Sequence, residues 1–212
     1  ANKRPDNLIR YAHAYRTVFD PRARLLLAGS HDHFAGYLAE LHAFAARLGA
    51  RGVHILGQVT DEELTALYDV ADVFLCASEH EGFCVPIVEA FHKRVPVVAR
   101  AATAVPATMD GGGVLFDTTD PLEVAGLMEA VLSDEALEDR ILRAQDAALA
   151  RLFARRCSPA ADVETGLARI RASGVLSAVR DRAATHVAAA SANIAHLPES
   201  PYRAALAVLT QG

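Results

Sequence analysis

Residues 79–91, EHEGFCVPIVEAF, contain side chains whose types and spacing are typical of a binding or catalytic site. Glu81 and Glu89 are eight positions apart, Gly82 follows the first of them, and Pro86 suits the first turn of a helix. A helix that begins there points its first backbone amides toward the acidic residues, and such a terminus favours anions. Glycine lets a backbone approach a ligand closely, as phosphate-binding turns require. The stretch therefore predicts an anion site flanked by carboxylates.

A simple structural role explains one of the two carboxylates better than the other. Glu89 is predicted to lie in the first helical turn, where the helix dipole favours an acid by about 0.3–1 kcal/mol. Glu81 precedes the helix and has no such explanation. Carboxylates on both sides of a phosphate site suit a ligand with hydroxyls at both ends, because each charged hydrogen bond contributes about 1.5–3 kcal/mol. A nucleoside diphosphate sugar has this layout.

The elements that position this stretch alternate between strand and helix. Apolar residues at helical spacing predict helices over 5–19 and 34–48, and Thr60 and Glu63 form a capping box that starts another. Between the helices, near-continuous apolar runs predict strands that are buried on both faces. The expected fold is α/β: a doubly wound, Rossmann-like parallel sheet with helices on both faces. The predicted strands are ARLLLAG, VHILG, ADVFLCAS, VPVVA and GVLFD.

Ligands of such sheets bind outside the carboxyl ends of the strands. Chemistry is therefore expected in the loops after Gly29, Gly57, Ser78 and Ala99, and the acidic stretch is the loop after Ser78. The helical spacing resumes in two predicted helices, from Asp120 to about 132 and from there to about 153.

The sequence changes character at about residue 155, which predicts a domain over 1–154 and an α-helical extension over 155–212. The extension holds 7 Arg and 4 acidic residues, against 14 Lys or Arg and 22 acidic residues before it. Apolar residues recur every three or four positions from Val175 to Leu197, which predicts an amphipathic helix. This helix either folds back on the domain or docks another domain or chain.

Composition excludes several functional classes. The net charge of −5 argues against general nucleic-acid binding. No run of about 18 apolar residues predicts a membrane span, and the start, ANKRPDNLIR, lacks the apolar region of a secretory signal. The three cysteines form no CxxC motif, which is typical of a reducing cytoplasm. No GxGxxG follows a strand and no GxxxxGK[ST] occurs, so dinucleotide oxidoreductases and P-loop NTPases are disfavoured.

Other reactive residues have simpler explanations. His31, Asp32 and His33 alternate without a further ligand at a known spacing, so a loop is favoured over a metal site. Cys76 ends a predicted strand and suits the core. Cys84 precedes a helix, which lowers a thiol pKa, but no neighbouring base stands out to activate it as a nucleophile.

The motif EGFCVPIVEA resembles the Glu-x7-Glu signature of retaining glycosyltransferases of family 4, which have the two-domain GT-B fold. Further blocks agree in order and spacing over residues 2 to about 153, and the chain resembles the carboxyl-terminal half of such enzymes, which binds the sugar donor. These blocks are NKRPDNLI, LLLAGS, VHILGQVTDEELTALYDVADVFLCAS, RVPVVA and GGGVLFDTTDPLEVAGLMEAVLSD.

The resemblance implies roles for individual residues. Glu81 would bind hydroxyls of the transferred sugar, and Glu89 would hold the ribose. Lys3 would neutralise the diphosphate and help it leave, with Arg4 in the same donor-binding set. The loop GQVTD would cover the base, with backbone contacts from Val59. The amides around Gly82, Phe83 and Cys84 would meet the distal phosphate or the sugar.

The resemblance also implies what accompanies the domain. The expected sugar donor is a nucleotide diphosphate sugar, and no cofactor or divalent metal is expected, because cationic side chains and helix amides stabilise the leaving group. The first strand of this half and the acceptor-binding half would precede Ala1, so we expect this portion alone to be inactive. The family's loop glycine and post-proline glutamate are absent from ATAVPATM.

Two functional hypotheses follow. The first is the donor-binding half of a retaining glycosyltransferase with an unknown acceptor, in the cytoplasm or at the inner face of the membrane, acting in synthesis of cell-surface polysaccharide or glycoconjugate. Nucleotide-sugar epimerases and α-glucan phosphorylases share the architecture, but the Glu-x7-Glu spacing favours transfer. The second is a non-catalytic nucleotide-binding or assembly module that docks a partner through its helical tail.

Overall fold

The computed structural model describes residues 2–29, 35–156, 168–169, 172–196, 198–200 and 203. The chain divides into two compact units, Ala1–Ala154 and Arg155–Gly212. The loop residues His31, Asp32 and His33, together with Cys157 and Leu197, lie outside the described residues, so the predictions made for them are untested.

Strand and helix alternate along the first unit as the sequence predicts. The capping box of Thr60 and Glu63 is present, with each side chain bonded to the backbone amide of the other residue. Asp120 caps its helix by accepting from the amide of Leu122. The strands are β1 (Leu25–Ala28), β2 (Val53–Gly57), β3 (Phe74–Cys76), β4 (Val97–Arg100) and β5 (Val114–Phe116). The helices are α1 (Pro5–Val18), α2 (Ala35–Leu48), α3 (Asp61–Asp69), α4 (Val85–His92), α5 (Val105–Met109), α6 (Pro121–Ser133) and α7 (Glu135–Arg156).

All strand pairs are parallel, but they form two sheets. One sheet contains β1 and β2, and the other has the order β3-β4-β5. Within the described residues, the edge of β1 away from β2 and the edge of β3 away from β4 pair with no strand. The elements of the fold thus agree with the prediction, while the hydrogen-bonded ladder is interrupted between β1 and β3.

Helices cover both faces of the three-stranded sheet. Successive β4 residues point to opposite faces. Val97 belongs to a core cluster with residues of α3, α4, α5 and α7, whereas Val98 belongs to one with residues of α1, α6 and the first part of α7. Both valines are fully buried. Because β4 is the central strand, its apolar run is buried on both sides, as expected for a doubly wound fold.

The two-stranded sheet departs from the prediction of strands buried on both faces. Leu25, Leu27 and Ile55 pack against α1 and α2. The alternate residues Leu26 and Leu56 are 40% and 42% exposed. Among the described residues, helices cover only one face of this sheet. The apolar run in β1 is therefore buried on that face alone.

The described residues of the second unit include a long helix, α8 (Val175–Ala195), at the position that the spacing predicts. Val187, on the predicted apolar face, is 45% exposed, and Ile194 is half-buried. The helix thus forms, while most of its described residues are exposed.

Candidate functional site

The amino terminus of α4 is the centre of the candidate site. Cys84 precedes the helix in the left-handed conformation, with φ 61°, and Pro86 lies in the first turn. A non-glycine residue held in this conformation indicates a backbone fixed by its surroundings. The hydroxyl of Thr108 donates to the carbonyl of Phe83 at 2.5 Å, which anchors the preceding residue. A Cβ at Gly82 would meet no atom within 4 Å. The backbone beside the helix terminus is therefore open to an anion.

The backbone of Glu81 is fixed by one side chain from the next loop. The hydroxyl of Thr103 accepts from the Glu81 amide and donates to the Glu81 carbonyl, both at 2.8 Å. Thr103 itself has a left-handed backbone, with φ 46°. Glu81 is only 9% exposed. Its carboxylate therefore has a defined position at the carboxyl end of β3.

Lys3 and Glu81 form an ion pair across 78 positions of sequence, with Nζ 2.6 Å from Oε1. Burial opposes ionisation of Glu81, but hydrogen bonds from Lys3 and Ser78 hold its pKa below the ordinary value. Burial is the largest single influence on Lys3 and disfavours its charged form, but the hydrogen bond to Glu81 and the attraction of nearby negative charges together raise the Lys3 pKa. The structure thus brings together the two residues that the sequence predicts to be catalytic, and both are charged.

The amino-terminal segment contacts the acidic loop at two further points. The amide of Glu79 donates to the carbonyl of Asn2 at 2.8 Å. Arg4 contacts the Glu79 carboxylate through Nη1 and binds Asp6 through Nε and Nη2 at 3.0 and 2.7 Å. Hydrogen bonding to Asp6 is the main cause of a raised Arg4 pKa. The segment is therefore held against the site, and Arg4 is oriented by carboxylates on either side.

Glu89 lies beyond the first turn of α4, so its predicted position in that turn is wrong. The helix dipole acts mainly within the first turn, which weakens the structural explanation of this residue. Its carboxylate accepts at 3.1 Å from the hydroxyl of Tyr68 on α3, and the same hydroxyl lies 3.2 Å from the carbonyl of Pro86. Burial, Glu89 and Cys84 together raise the pKa of Tyr68. Tyr68 therefore stays protonated and fixes the carboxylate.

Two cysteines lie side by side beneath the acidic loop. The Sγ atoms of Cys76 and Cys84 are 3.9 Å apart, and both residues are buried. Cys76 belongs to the core, as predicted. Its pKa is lowered by the thiol of Cys84 and by hydrogen bonding to Ser78, whereas that of Cys84 is raised. A raised pKa and 5% exposure do not suit a nucleophile at Cys84.

Two positioning residues were not predicted from the sequence. Tyr68 follows Leu64 and Leu67 on its helix, and a hydroxyl among aliphatic residues is the signal that could have found it. Thr103 lies in the loop after β4, where chemistry was expected, but no motif includes it.

Val59 is half-buried in the loop between β2 and α3, and His80 is exposed. The backbone role of Val59 stays a prediction.

A cavity of about 200 Å³ lies away from these residues. It is lined by His13, Arg16, Thr17, Pro21, Gly49 and Arg51. Pro21 precedes β1 and Arg51 precedes β2, so the cavity is at the amino ends of the strands. Ligands of α/β sheets bind at the opposite edge, where Glu81 and Cys84 lie. We therefore place the candidate site at α4 rather than at the cavity.

Comparison with known proteins identifies the family. A family model described as glycosyl transferases group 1 matches residues 1–146. The chain belongs to this family. The O-antigen chain mannosyltransferase B of Escherichia coli is 34% identical to this group 1 glycosyltransferase over 101 residues, 48% of this chain and 26% of that protein. The D-inositol 3-phosphate glycosyltransferase of Corynebacterium jeikeium (strain K411) is 32% identical over 118 residues, 54% of this chain and 28% of that protein. The chain spans little more than a quarter of these relatives.

The fold of this chain matches solved structures of GT-B glycosyltransferases. Anabaena Alr3699/HepE in complex with UDP-glucose has a TM-score of 0.60 and 27% identity, over 69% of this chain and 40% of that chain. The C-terminal domain of a glycosyl transferase group 1 family protein (LpcC) from Francisella tularensis has a TM-score of 0.61 and 22% identity, over 72% and 80% of the two chains. Among the described helices of this group 1 glycosyltransferase, none has both the length and the apolar character needed to cross a bilayer.

Proposed function

We propose that this chain is the carboxyl-terminal, donor-binding half of a retaining glycosyltransferase of family 4, which transfers a hexose from a nucleotide diphosphate sugar. The observation that carries the proposal is the buried Glu81 carboxylate, paired with Lys3 at 2.6 Å, beside the open backbone at the amino terminus of α4. A carboxylate, a cation and helix amides in one place match the three chemical parts of such a ligand.

Each group has a distinct task in this proposal. Glu81 accepts hydrogen bonds from hydroxyls of the transferred sugar, and Glu89, oriented by Tyr68, accepts from the ribose. The backbone at Gly82, Phe83 and Cys84 faces the distal phosphate or the sugar. On binding, Lys3 exchanges part of its contact with Glu81 for the diphosphate and stabilises the charge that develops there as the nucleotide leaves. No metal or cofactor takes part in this scheme.

The rest of the active site belongs to segments outside this chain. The aligned segments make up only 26% and 28% of these relatives, which supports a preceding acceptor-binding half. The free edges of β1 and β3 support a further strand between them, since the common doubly wound order places the first strand at that position. The O-antigen chain mannosyltransferase and the D-inositol 3-phosphate glycosyltransferase among the relatives support a role in synthesis of surface polysaccharide or glycoconjugate. A location in the cytoplasm or at the inner membrane face is part of the same proposal.

The alternative is a binding or assembly module that keeps the fold without catalysis. The observation that favours it is the helix α8, most of whose described residues are exposed, including Val187. A docking helix of this kind needs no sugar nucleotide. Nucleotide binding therefore separates the two functions.

Calorimetry with UDP-, GDP- and ADP-sugars tests the proposal. We expect at least one to bind, and Lys3→Ala or Glu89→Ala to weaken binding about tenfold or more, the contribution of one charged contact. Lys93→Ala is a matched control, because that lysine lies at the opposite, carboxyl-terminal end of α4 and its side chain pairs with Asp69. Absence of binding of every nucleotide at millimolar concentration would favour the assembly module.

The contact of Glu89 with a tyrosine has a match elsewhere in the fold. Glu129 on α6 accepts from the hydroxyl of Tyr15 at 2.9 Å. Glu129→Ala thus removes the same kind of interaction without touching the candidate site. If it weakened nucleotide binding as much as Glu89→Ala, the effect would be one of stability, and the ribose contact would be refuted.

A further inference from the structure

Three potential metal ligands converge beneath the acidic loop. The Sγ atoms of Cys76 and Cys84 and a carboxylate oxygen of Glu81 all lie within 4.8 Å of one another. The two sulfurs are 3.9 Å apart. These residues are 6%, 5% and 9% exposed. Their closeness is a result of the fold, because the loop after β3 reverses and returns the chain to the start of α4.

The spacing of the sulfurs suits a shared metal ion. Two thiolates that bind tetrahedral zinc at about 2.3 Å lie about 3.8 Å apart, close to the separation observed. A disulfide requires the same atoms to approach to about 2.05 Å. The sulfurs can therefore share a metal with little movement, whereas a covalent bond requires them to close about half of their separation.

The backbone holds the ligands in place without a metal. Cys84 is fixed in a left-handed conformation at the start of α4, and Cys76 ends a hydrogen-bonded strand. The hydroxyl of Thr103 bonds both backbone groups of Glu81. Ligands that are already ordered lose little conformational freedom on binding.

The charges of the site also balance. Two thiolates and one carboxylate carry three negative charges, and a divalent cation with the Lys3 ammonium supplies three positive ones. Thiolate and carboxylate are both zinc ligands, and three protein ligands with a fourth position for water are typical of zinc sites that retain an open coordination position. Because the metal binds thiolates, binding displaces thiol protons to solvent, so the affinity increases with pH.

We propose that Cys76, Glu81 and Cys84 form a site for a single borderline-soft divalent cation, Zn²⁺, whose occupancy withdraws Glu81 from Lys3. The site differs from a catalytic metal centre, since the ion would occupy the carboxylate that the sugar donor is proposed to need. Zinc and sugar donor therefore compete. The proposal of a metal site depends only on the three ligands. The proposed competition between zinc and sugar donor depends on the proposed function as well.

Metal titration of the full 212-residue chain tests the site without any sugar nucleotide. Zn²⁺ is added to reduced protein in competition with a chromophoric chelator, and Co²⁺ is added separately to detect thiolate-to-metal charge transfer. We expect one metal per chain with a thiolate band. Cys76→Ser and Cys84→Ser should each lower the affinity about 100-fold or more, and Glu81→Gln about tenfold or more.

The third cysteine and a neighbouring carboxylate provide matched controls. Cys157→Ser and Glu79→Gln should leave the affinity unchanged. Zinc X-ray absorption of the unmutated chain should show two sulfur ligands at about 2.3 Å, which decides the matter even if a buried cysteine variant fails to fold. A spectrum with only nitrogen and oxygen ligands, or affinity that depends on Cys157, would overturn the site. Failure of either kind leaves the separate test of nucleotide binding unaffected.

Discussion

Replacement of Lys3 by alanine perturbs the central ion pair and leaves the Glu81 carboxylate without its cation. The Lys3 side chain is 64% exposed, and that of Glu81 is 8% exposed. Exposed pairs contribute about 0.2–1 kcal/mol, whereas removal of one partner of a buried pair costs about 3–5 kcal/mol. Because water reaches Lys3 and Ser78 also supports the carboxylate, we expect an intermediate loss of about 1–2 kcal/mol in the free energy of unfolding.

The pH dependence gives this loss a signature. The Glu81 pKa is lowered from 4.5, so its contribution is complete above that value and disappears as the pH falls through the folded-state pKa. The Lys3 pKa is raised from 10.5, so its contribution is complete below that value and disappears as the pH rises through the folded-state pKa. The difference between the native chain and Lys3→Ala should therefore be constant between about pH 5.5 and 9.5 and shrink outside this window.

Urea unfolding followed by circular dichroism measures the difference at each pH. A double-mutant cycle with Glu81→Gln isolates the pair from other effects of the two substitutions. Lys93→Ala, which breaks an ion pair with Asp69 on the surface, should change stability by less than about 1 kcal/mol. A zero coupling energy, or a loss at pH 7 that persists unchanged at pH 3, would refute the electrostatic reasoning.

Two further substitutions test how the site is held. Tyr68→Phe removes the hydroxyl that binds Glu89. We expect calorimetry to show a nucleotide affinity a few-fold weaker, and urea unfolding to show a free energy of unfolding lower by about 1 kcal/mol. Unchanged affinity would contradict a positioning role. Thr103→Val removes both bonds to the Glu81 backbone and should destabilise by about 1–3 kcal/mol. Thr185→Val is its control, since that hydroxyl bonds the carbonyl of Asp181 within α8. An equal loss in both variants would show that Thr103 has no special role.

The order of the elements could be predicted because it depends on local periodicity. The capping box at Thr60 and the cap at Asp120 were found because their partners lie within three positions. Helix α5 was missed, because five residues cannot show an apolar repeat. Its position is fixed by distant contacts such as Thr108 with Phe83, which no local pattern contains.

The candidate site could be predicted only as a set of residue types. The resemblance selected Lys3 and Glu81, and the structure brings them together from positions 78 residues apart. The contact of Tyr68 with Glu89 joins two helices, and the pairing of Cys76 with Cys84 depends on the reversal of one loop. Such contacts arise from tertiary packing, so local spacing could not predict which residues pair.

A crystal structure of the chain with a bound nucleotide sugar tests the central claim most directly. We predict that the diphosphate lies beside the backbone of Gly82 and Cys84, the ribose within hydrogen-bonding distance of Glu89, and the sugar hydroxyls at Glu81. A nucleotide bound instead at the cavity lined by Arg16 and Arg51, with Glu81 and Glu89 free of contact, would contradict it.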